Sequence, residues 1–259
     1  METERDSHPA PVPFPVSTQG MGGGPRNASL SQQAFHRIRD KILRGEFSPG
    51  SILSRRKLGE EFGMSFLPIT EALGRLERDG LIESKPRAGT RVRIPSARDV
   101  REHCILREAL ESQSARLFSE QATRDERLEL IRMARRLDER FAQSEYHTDA
   151  DFLFELHTMH VQFHTCIAEY TRCKALCEAI EKNQILIFNW FHDSSAKQSS
   201  AIPSAFHSAL AKAICGDDPE AADKAMRQHV RWRVSAVVEH FESLTIADNM
   251  WRHKRGKQA

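Results

Sequence analysis

The chain has 259 residues, 39% of them hydrophobic and 29% charged, with a formal net charge of +2. That is enough apolar material for one large domain or two modest ones, and the charged share suits a soluble protein. No apolar run approaches the ~20 residues of a bilayer span, and the N-terminus lacks a signal-peptide pattern, so membrane and secreted classes are excluded and a cytoplasmic location is expected.

The charge is unevenly placed. Residues 30–98 carry 14 Lys/Arg against 8 Asp/Glu, whereas residues 99–245 carry 18 against 24. A basic unit joined to an acidic one is the electrostatic footprint of a nucleic-acid reader tied to something else. Cys104, Cys166, Cys173, Cys177 and Cys215 form no CxxC pair and read as reduced, mostly buried thiols.

In chain order, residues 1–29 (PAPVPFPV, then GMGGG) read as a flexible tail. Leu30, Ala34, Ile38 and Ile42 form one stripe of a helix running to Arg44. Gly45 stops it, and Ser48-Pro49-Gly50 makes a turn. A second helix starts after Ser54 and ends near Phe62; Gly63-Met64-Ser65 is a tight corner, and a third helix runs from Phe66 to Asp79 with Pro68 in its first turn. Strands are expected over Leu81 to Ser84 and Thr90 to Ile94, joined by Lys85 to Gly89. Helix, helix, corner, helix and hairpin make a winged helix-turn-helix over residues 30–95, with Leu58, Phe62, Ile69, Leu73, Leu76 and Ile82 in its core.

In such a module the helix after the corner enters the major groove with its leading residues nearest the base edges. Ser65, Phe66 and Thr70 occupy that end, and Arg75 lies further along. Arg55 and Arg56 open the preceding helix, and Arg87 and Gly89 sit at the wing. Together they point to double-stranded DNA rather than to a solvated basic face. The run from Ile38 to Val92, carrying GMS, PxTEAL, RDGLI and GTRV, resembles the N-terminal domain of the GntR family of bacterial transcription regulators. The resemblance implies arginines directly after the corner serine and just before Glu71; Phe66 and Thr70 stand there instead. Losing such arginine–guanine contacts, worth roughly 1–3 kcal/mol each, changes the expected operator, and Phe66 offers a face to a thymine methyl in their place.

Residues 96–245 read as helices only, over 98–121, 124–144, 149–171, 173–192, 199–215 and 218–243, which implies an antiparallel all-α bundle. Residues 246–259 are a basic tail. The expected fold is therefore mainly α, a winged helix-turn-helix followed by a helical bundle. His160 and His164 are four apart on one helix face, and His207 and His229 lie on two later helices, so three helices can offer imidazoles to one metal ion. His103 and His157 read as surface or core residues, and Phe188, Trp190, Phe191 and His192 as packing.

The segments LREALESQSARL, MHVQFHTCIAEY and FHSALAKAICGDDPEAADKAMRQHV resemble the helical FCD effector domain found in one branch of the same family. The resemblance implies a divalent-metal site in which His164, His207 and His229 are ligands, with His160 standing where an aspartate is usual. An all-imidazole shell favours Zn, Ni, Co or Cu over harder ions, with Zn or Ni foremost; alternatively, three histidines and water suffice without His160. Arg107 falls where the family has an arginine near the effector, and it can grip a small carboxylate in a bidentate fork or pair with Glu111 one turn on. The leading reading is a homodimeric, ligand-responsive regulator, a repressor by the commoner family pattern, reading a near-palindromic operator. The alternatives are a direct metal sensor with no organic effector, and a metal-dependent hydrolase, against which stands the lack of an evident general base.

Overall fold

Capping residues and apolar periodicity lay out a mainly helical chain. The structure, a computed structural model, describes residues 28–85, 89–144, 146, 149–183, 203–232, 234–239 and 241–243. Helix α1 (Leu30–Leu43) opens on a reciprocal Ser29–Gln32 capping box. It buries Ala34, Phe35, Ile38 and Ile42, while Leu30, expected in that stripe, is 55% exposed because the core begins one turn later. Helix α2 (Arg55–Phe62) is capped by Ser54 and ends at Gly63, whose φ of 65° is the left-handed conformation that favours glycine. Helix α3 (Phe66–Arg78) starts at Ser65, but the serine side chain makes no capping bond. The reason is local: Pro68 stands at the third helical position and has no N–H to donate.

Strands β1 (Ile82–Lys85) and β2 (Gly89–Val92) pair antiparallel, with Ile82 opposite Val92 and Lys85 opposite Gly89. Residues 50–53, which follow the Ser48-Pro49-Gly50 turn and for which no strand is expected from sequence, add an outer edge: Leu53 N–H donates to Thr90 O, Val92 N–H to Ser51 O, and Ile52 bridges Arg91. All six expected core residues of this unit are buried, together with Leu81 and Val92.

The second half comprises α4 (Ala97–Gln121), α5 (Arg124–Gln143), α6 (Ala150–Glu169), α7 (174–183), α8 (Phe206–Ile214) and α9 (Pro219–Arg231). Ser96 with Asp99 and Thr123 with Glu126 form capping boxes, and Asp149 and Asp218 cap α6 and α9. The single helix expected over 218–243 is interrupted. Trp232 leaves the helical conformation with ψ 132° and packs on Phe206, and helical turns resume at 234–239 and 241–243. Among the described residues no helix is long and apolar enough to cross a membrane.

Two cores result. One is built from α4, α5, α6, α8 and α9 around Phe118, Leu137, Phe163 and Ile214. The other fills the winged unit and also takes in Val100 and Cys104 of α4 and Val237, Val238 and Phe241 from the late helical turns. A smaller contact joins Leu43 of α1 to Val161 and Phe154 of α6. Beside it Arg44 pairs with Asp151 and lies over the Phe154 ring at 4.2 Å. Helix α6, which carries His160 and His164, thus touches the winged unit directly.

Candidate functional site

On the winged unit, Arg55, Arg56, Ser65, Phe66, Arg75 and Gly89 are exposed, and Thr70 is half-buried. Arg87 lies outside the described residues. The Thr70 hydroxyl donates back to Phe66 O at 2.9 Å, so its hydrogen is spent within α3. Arg75 lies over the Phe35 ring at 4.0 Å, and the Arg55 guanidinium is 6.0 Å from the Phe66 ring centre. Gly89 has φ 83° and open space where a Cβ would sit, so conformation rather than crowding calls for glycine there.

In the helical half the four histidines meet. His164 Nε2 lies 3.1 Å from His160 Nε2, and nitrogens of His160, His207 and His229 lie within 4.8 Å of one another. Two imidazoles on one ion at ~2.0–2.1 Å stand roughly 3 Å apart, so the first pair already has ligand spacing and the others need only draw in. His160 and His164 come from α6, His207 from the first turn of α8, and His229 from the last turn of α9.

Each approach is braced. His164 Nδ1 faces Glu111 Oε2 at 2.7 Å, and Glu111 Oε1 accepts from Arg107 Nε at 2.9 Å, all three being buried. His207 Nδ1 lies 2.8 Å from Asp138 Oδ1. The same carboxylate accepts from the backbone N–H groups of His207 and Ser208 and from the Ser208 hydroxyl. Helix α8 begins at Ala205, which offers no side-chain cap, so Asp138 of α5 caps it from a neighbouring helix while orienting His207. With Nδ1 donating to Asp138, His207 presents Nε2 as the lone pair; that atom and His229 Nδ1 are buried and meet no hydrogen-bonding partner. Phe141 stacks on His207 at 5.1 Å, and Phe206 on His229 at 4.3 Å.

The electrostatics favour neutral rings at His160, His207 and His229 and charged carboxylates at Glu111 and Asp138. Burial, then the neighbouring imidazoles and Arg107, push His160 and His229 well below the ordinary 6.5. His207 is lowered by burial against the opposing pull of Asp138. Burial would raise Glu111, but Arg107 and His164 override it and hold it down to about 2. Asp138 also falls to about 2, its burial outweighed by hydrogen bonds from His207 and Ser208. Neutral imidazoles oriented by carboxylates are the donor set a divalent ion takes. These residues therefore fit such an ion.

Sequence spacing brought out the four histidines, the resemblance to the FCD domain brought out Arg107, and Glu111 was seen only as a partner of Arg107. Both missed Asp138, whose link to His207 spans 69 residues and depends on how α5 packs against α8. His103 and His157 are engaged elsewhere, at 2.7 Å from Asn183 Oδ1 and Leu153 O respectively. Phe188, Trp190, Phe191 and His192 lie outside the described residues.

Comparison with known proteins fits this geometry. The family model for bacterial regulatory proteins of the gntR family matches residues 30–92, and the FCD domain matches residues 104–231. The chain belongs to the GntR family, in its FCD-bearing branch, and is a DNA-binding transcription regulator. It is 27% identical over 155 residues to the HTH-type transcriptional regulator YdhC of Bacillus subtilis, a match covering 60% of this chain and 66% of that protein. It is 24% identical over 207 residues to the HTH-type transcriptional repressor RspR of Escherichia coli, covering 78% and 86% respectively. Among solved structures, McbR/YncC of E. coli shares the fold with a TM-score of 0.66 at 22% identity, over 83% of this chain and 99% of that one. A GntR regulator from Rhodococcus sp. RHA1 does so with a TM-score of 0.68 at 21% identity, over 82% and 99%.

Proposed function

We propose that this regulator is a homodimeric, ligand-responsive repressor. Its histidine cluster holds a divalent metal ion, and a small carboxylate effector binds between that ion and Arg107. The reading rests on one observation: imidazoles from three helices converge, and two of their buried ring nitrogens, His207 Nε2 and His229 Nδ1, have no hydrogen-bonding partner. Buried polar atoms are nearly always satisfied, so a cluster of this kind calls for something to complete it. An all-imidazole shell suits Zn or Ni. A bound cation would supply a positive centre with positions open to a carboxylate. The positive charge of Arg107 is felt by His160, His207 and His229, so an anion docking at the cluster lies in its field. The repressor sign follows the relative RspR. Two winged units of a dimer would read half-sites a helical turn or a multiple apart, and the effector would act only by binding one arrangement better than the other.

One observation favours a second reading, direct metal sensing: Arg107 Nε is already paired with Glu111. Native mass spectrometry of the untreated protein gives its mass and bound metal, and titration of the protein–DNA complex with metal, with and without small acids, separates the two. The proposal expects a dimer carrying metal and acid-dependent release from DNA, whereas direct sensing expects metal alone to suffice. His164→Ala and His229→Ala are each expected to lower bound metal while leaving helical content intact. Unchanged loading in both variants would dismiss the site.

A further inference from the structure

The leading end of α3 carries two large apolar side chains that the fold does not use. Phe66 is 61% exposed and Leu67 66% exposed, while the helix buries Pro68, Ile69, Ala72, Leu73 and Leu76 on its inner face. A surface pair of this size on the turn that begins a helix is informative in a way that a lone exposed leucine is not. Its surroundings are polar and basic. Arg55 stands 6.0 Å from the Phe66 ring, Arg56 and Arg75 are exposed on the same unit, and Ser65 leaves the helix start uncapped. The whole unit has a surplus of positive charge, with 14 Lys/Arg against 8 Asp/Glu over residues 30–98. An apolar tip beside Arg55, on a unit with surplus positive charge, fits a polyanion that shows apolar groups at the bottom of a groove. Duplex DNA does so in one place only: the major groove is lined by hydrogen-bonding edges, and its one apolar group is the C5 methyl of thymine.

We propose that Phe66 and Leu67 form an apolar reading head that selects thymine methyls, so that each half-site carries at least one thymine where α3 enters the groove. The inference rests on α3 being the groove-entering helix, as the function proposed above requires. The exposed arginines of the unit fix position on the phosphates and the pair reads the methyl, a division of labour that phosphate and base contacts generally show.

The test begins with full-length protein selecting duplexes from a random-sequence double-stranded DNA pool. Gel shifts on the selected duplex then replace thymines with uracil one at a time, which removes a methyl and nothing else. For the unmodified protein, at least one replacement per half-site is expected to weaken binding about fourfold, the worth of one buried methyl-sized group. Phe66→Ala and Leu67→Ala are expected to bind more weakly and to lose that sensitivity. Both side chains are exposed, so both variants are expected to melt with the parent; Phe66→Leu, which keeps an apolar tip, is expected to retain part of the methyl dependence. Indifference of the parent to every uracil, with Arg56→Ala still weakening binding, overturns the reading head and leaves α3 as the groove-entering helix. Normal binding by Phe66→Ala, Leu67→Ala and Arg56→Ala together, or a pool that yields no enriched sequence, overturns both. Loss of the dimer in Phe66→Ala likewise overturns the proposal, by assigning the pair to a contact between copies.

Discussion

Asp138 does two things with one carboxylate: it caps α8 across a helix boundary and sets the tautomer of His207. Asp138→Ala is therefore expected to cost about 1–2 kcal/mol, as for the loss of a helix cap, and to lower metal affinity 10–100-fold, as loss of an orienting partner does. Thermal denaturation with and without chelator, together with chelator competition, measures the two effects separately. The buried charges also set a pH response. His160 and His229 titrate below the ordinary 6.5 in the folded chain, so unfolding takes up protons once the pH drops below that value, and stability falls. Glu111 and Asp138, held at about 2 against 4.5 and 3.8, contribute stability that is complete above those ordinary values and is lost as the pH falls toward 2. Chelated protein is accordingly expected to lose melting temperature in two stages, first below pH 6.5 and then below pH 4.5. A melting temperature constant from pH 7 to 5 would contradict the neutral cluster. At this scale the sequence revealed what helical spacing can carry: the His160–His164 pair and the Arg107–Glu111 pair are each one turn apart. Asp138 stayed hidden because its partner is reached only through the packing of α5 on α8.

At the scale of elements, α2 presents Arg55 and Arg56, and α3 presents the end proposed to enter the groove. Arg56 is exposed, and its intrahelical partner Glu60 lies 3.8 Å away; a surface pair of this kind contributes little to stability. Arg56→Ala is thus expected to leave the melt unchanged, to weaken DNA binding evenly across sequences, and to reduce the slope of log affinity against log salt by about one. A gel-shift salt series measures that slope, and an unaltered slope would exclude a phosphate contact. Most helix starts were legible, because Ser54, Thr123, Asp149 and Asp218 offer oxygens to free N–H groups; Ser65, also read as a cap, makes no such bond, and α8 begins at Phe206 rather than at residue 199 because its cap is Asp138 of another helix. Two further features were not legible. The edge at residues 50–53 is too short to show alternation. The break after α9 follows from Trp232 settling on Phe206, a contact between helices that the continuing run of valines conceals.

For the whole molecule, the winged unit borrows part of its interior from residues far along the chain, namely Val100, Cys104, Val237, Val238 and Phe241. Phe241 is fully buried there. Phe241→Ala is expected to cost about 3–5 kcal/mol and to weaken operator binding even in chelated protein, although it lies far in sequence from every groove-facing residue. Denaturant unfolding and gel shift together check this, and a stable variant with normal binding would exclude it. The connection runs through a short path: His229 lies in the last turn of α9, Trp232 turns the chain, and Val237, Val238 and Phe241 enter the other core. Trp232 lies 5.0 Å from Phe206, whose ring stacks on His229 at 4.3 Å. An indole one ring removed from the histidines is an intrinsic optical gauge. If an open-shell ion docks beside His229 as proposed, it would quench this emission over the background of Trp190 and Trp251, and its loading and removal would be followed in real time by light, with no label attached.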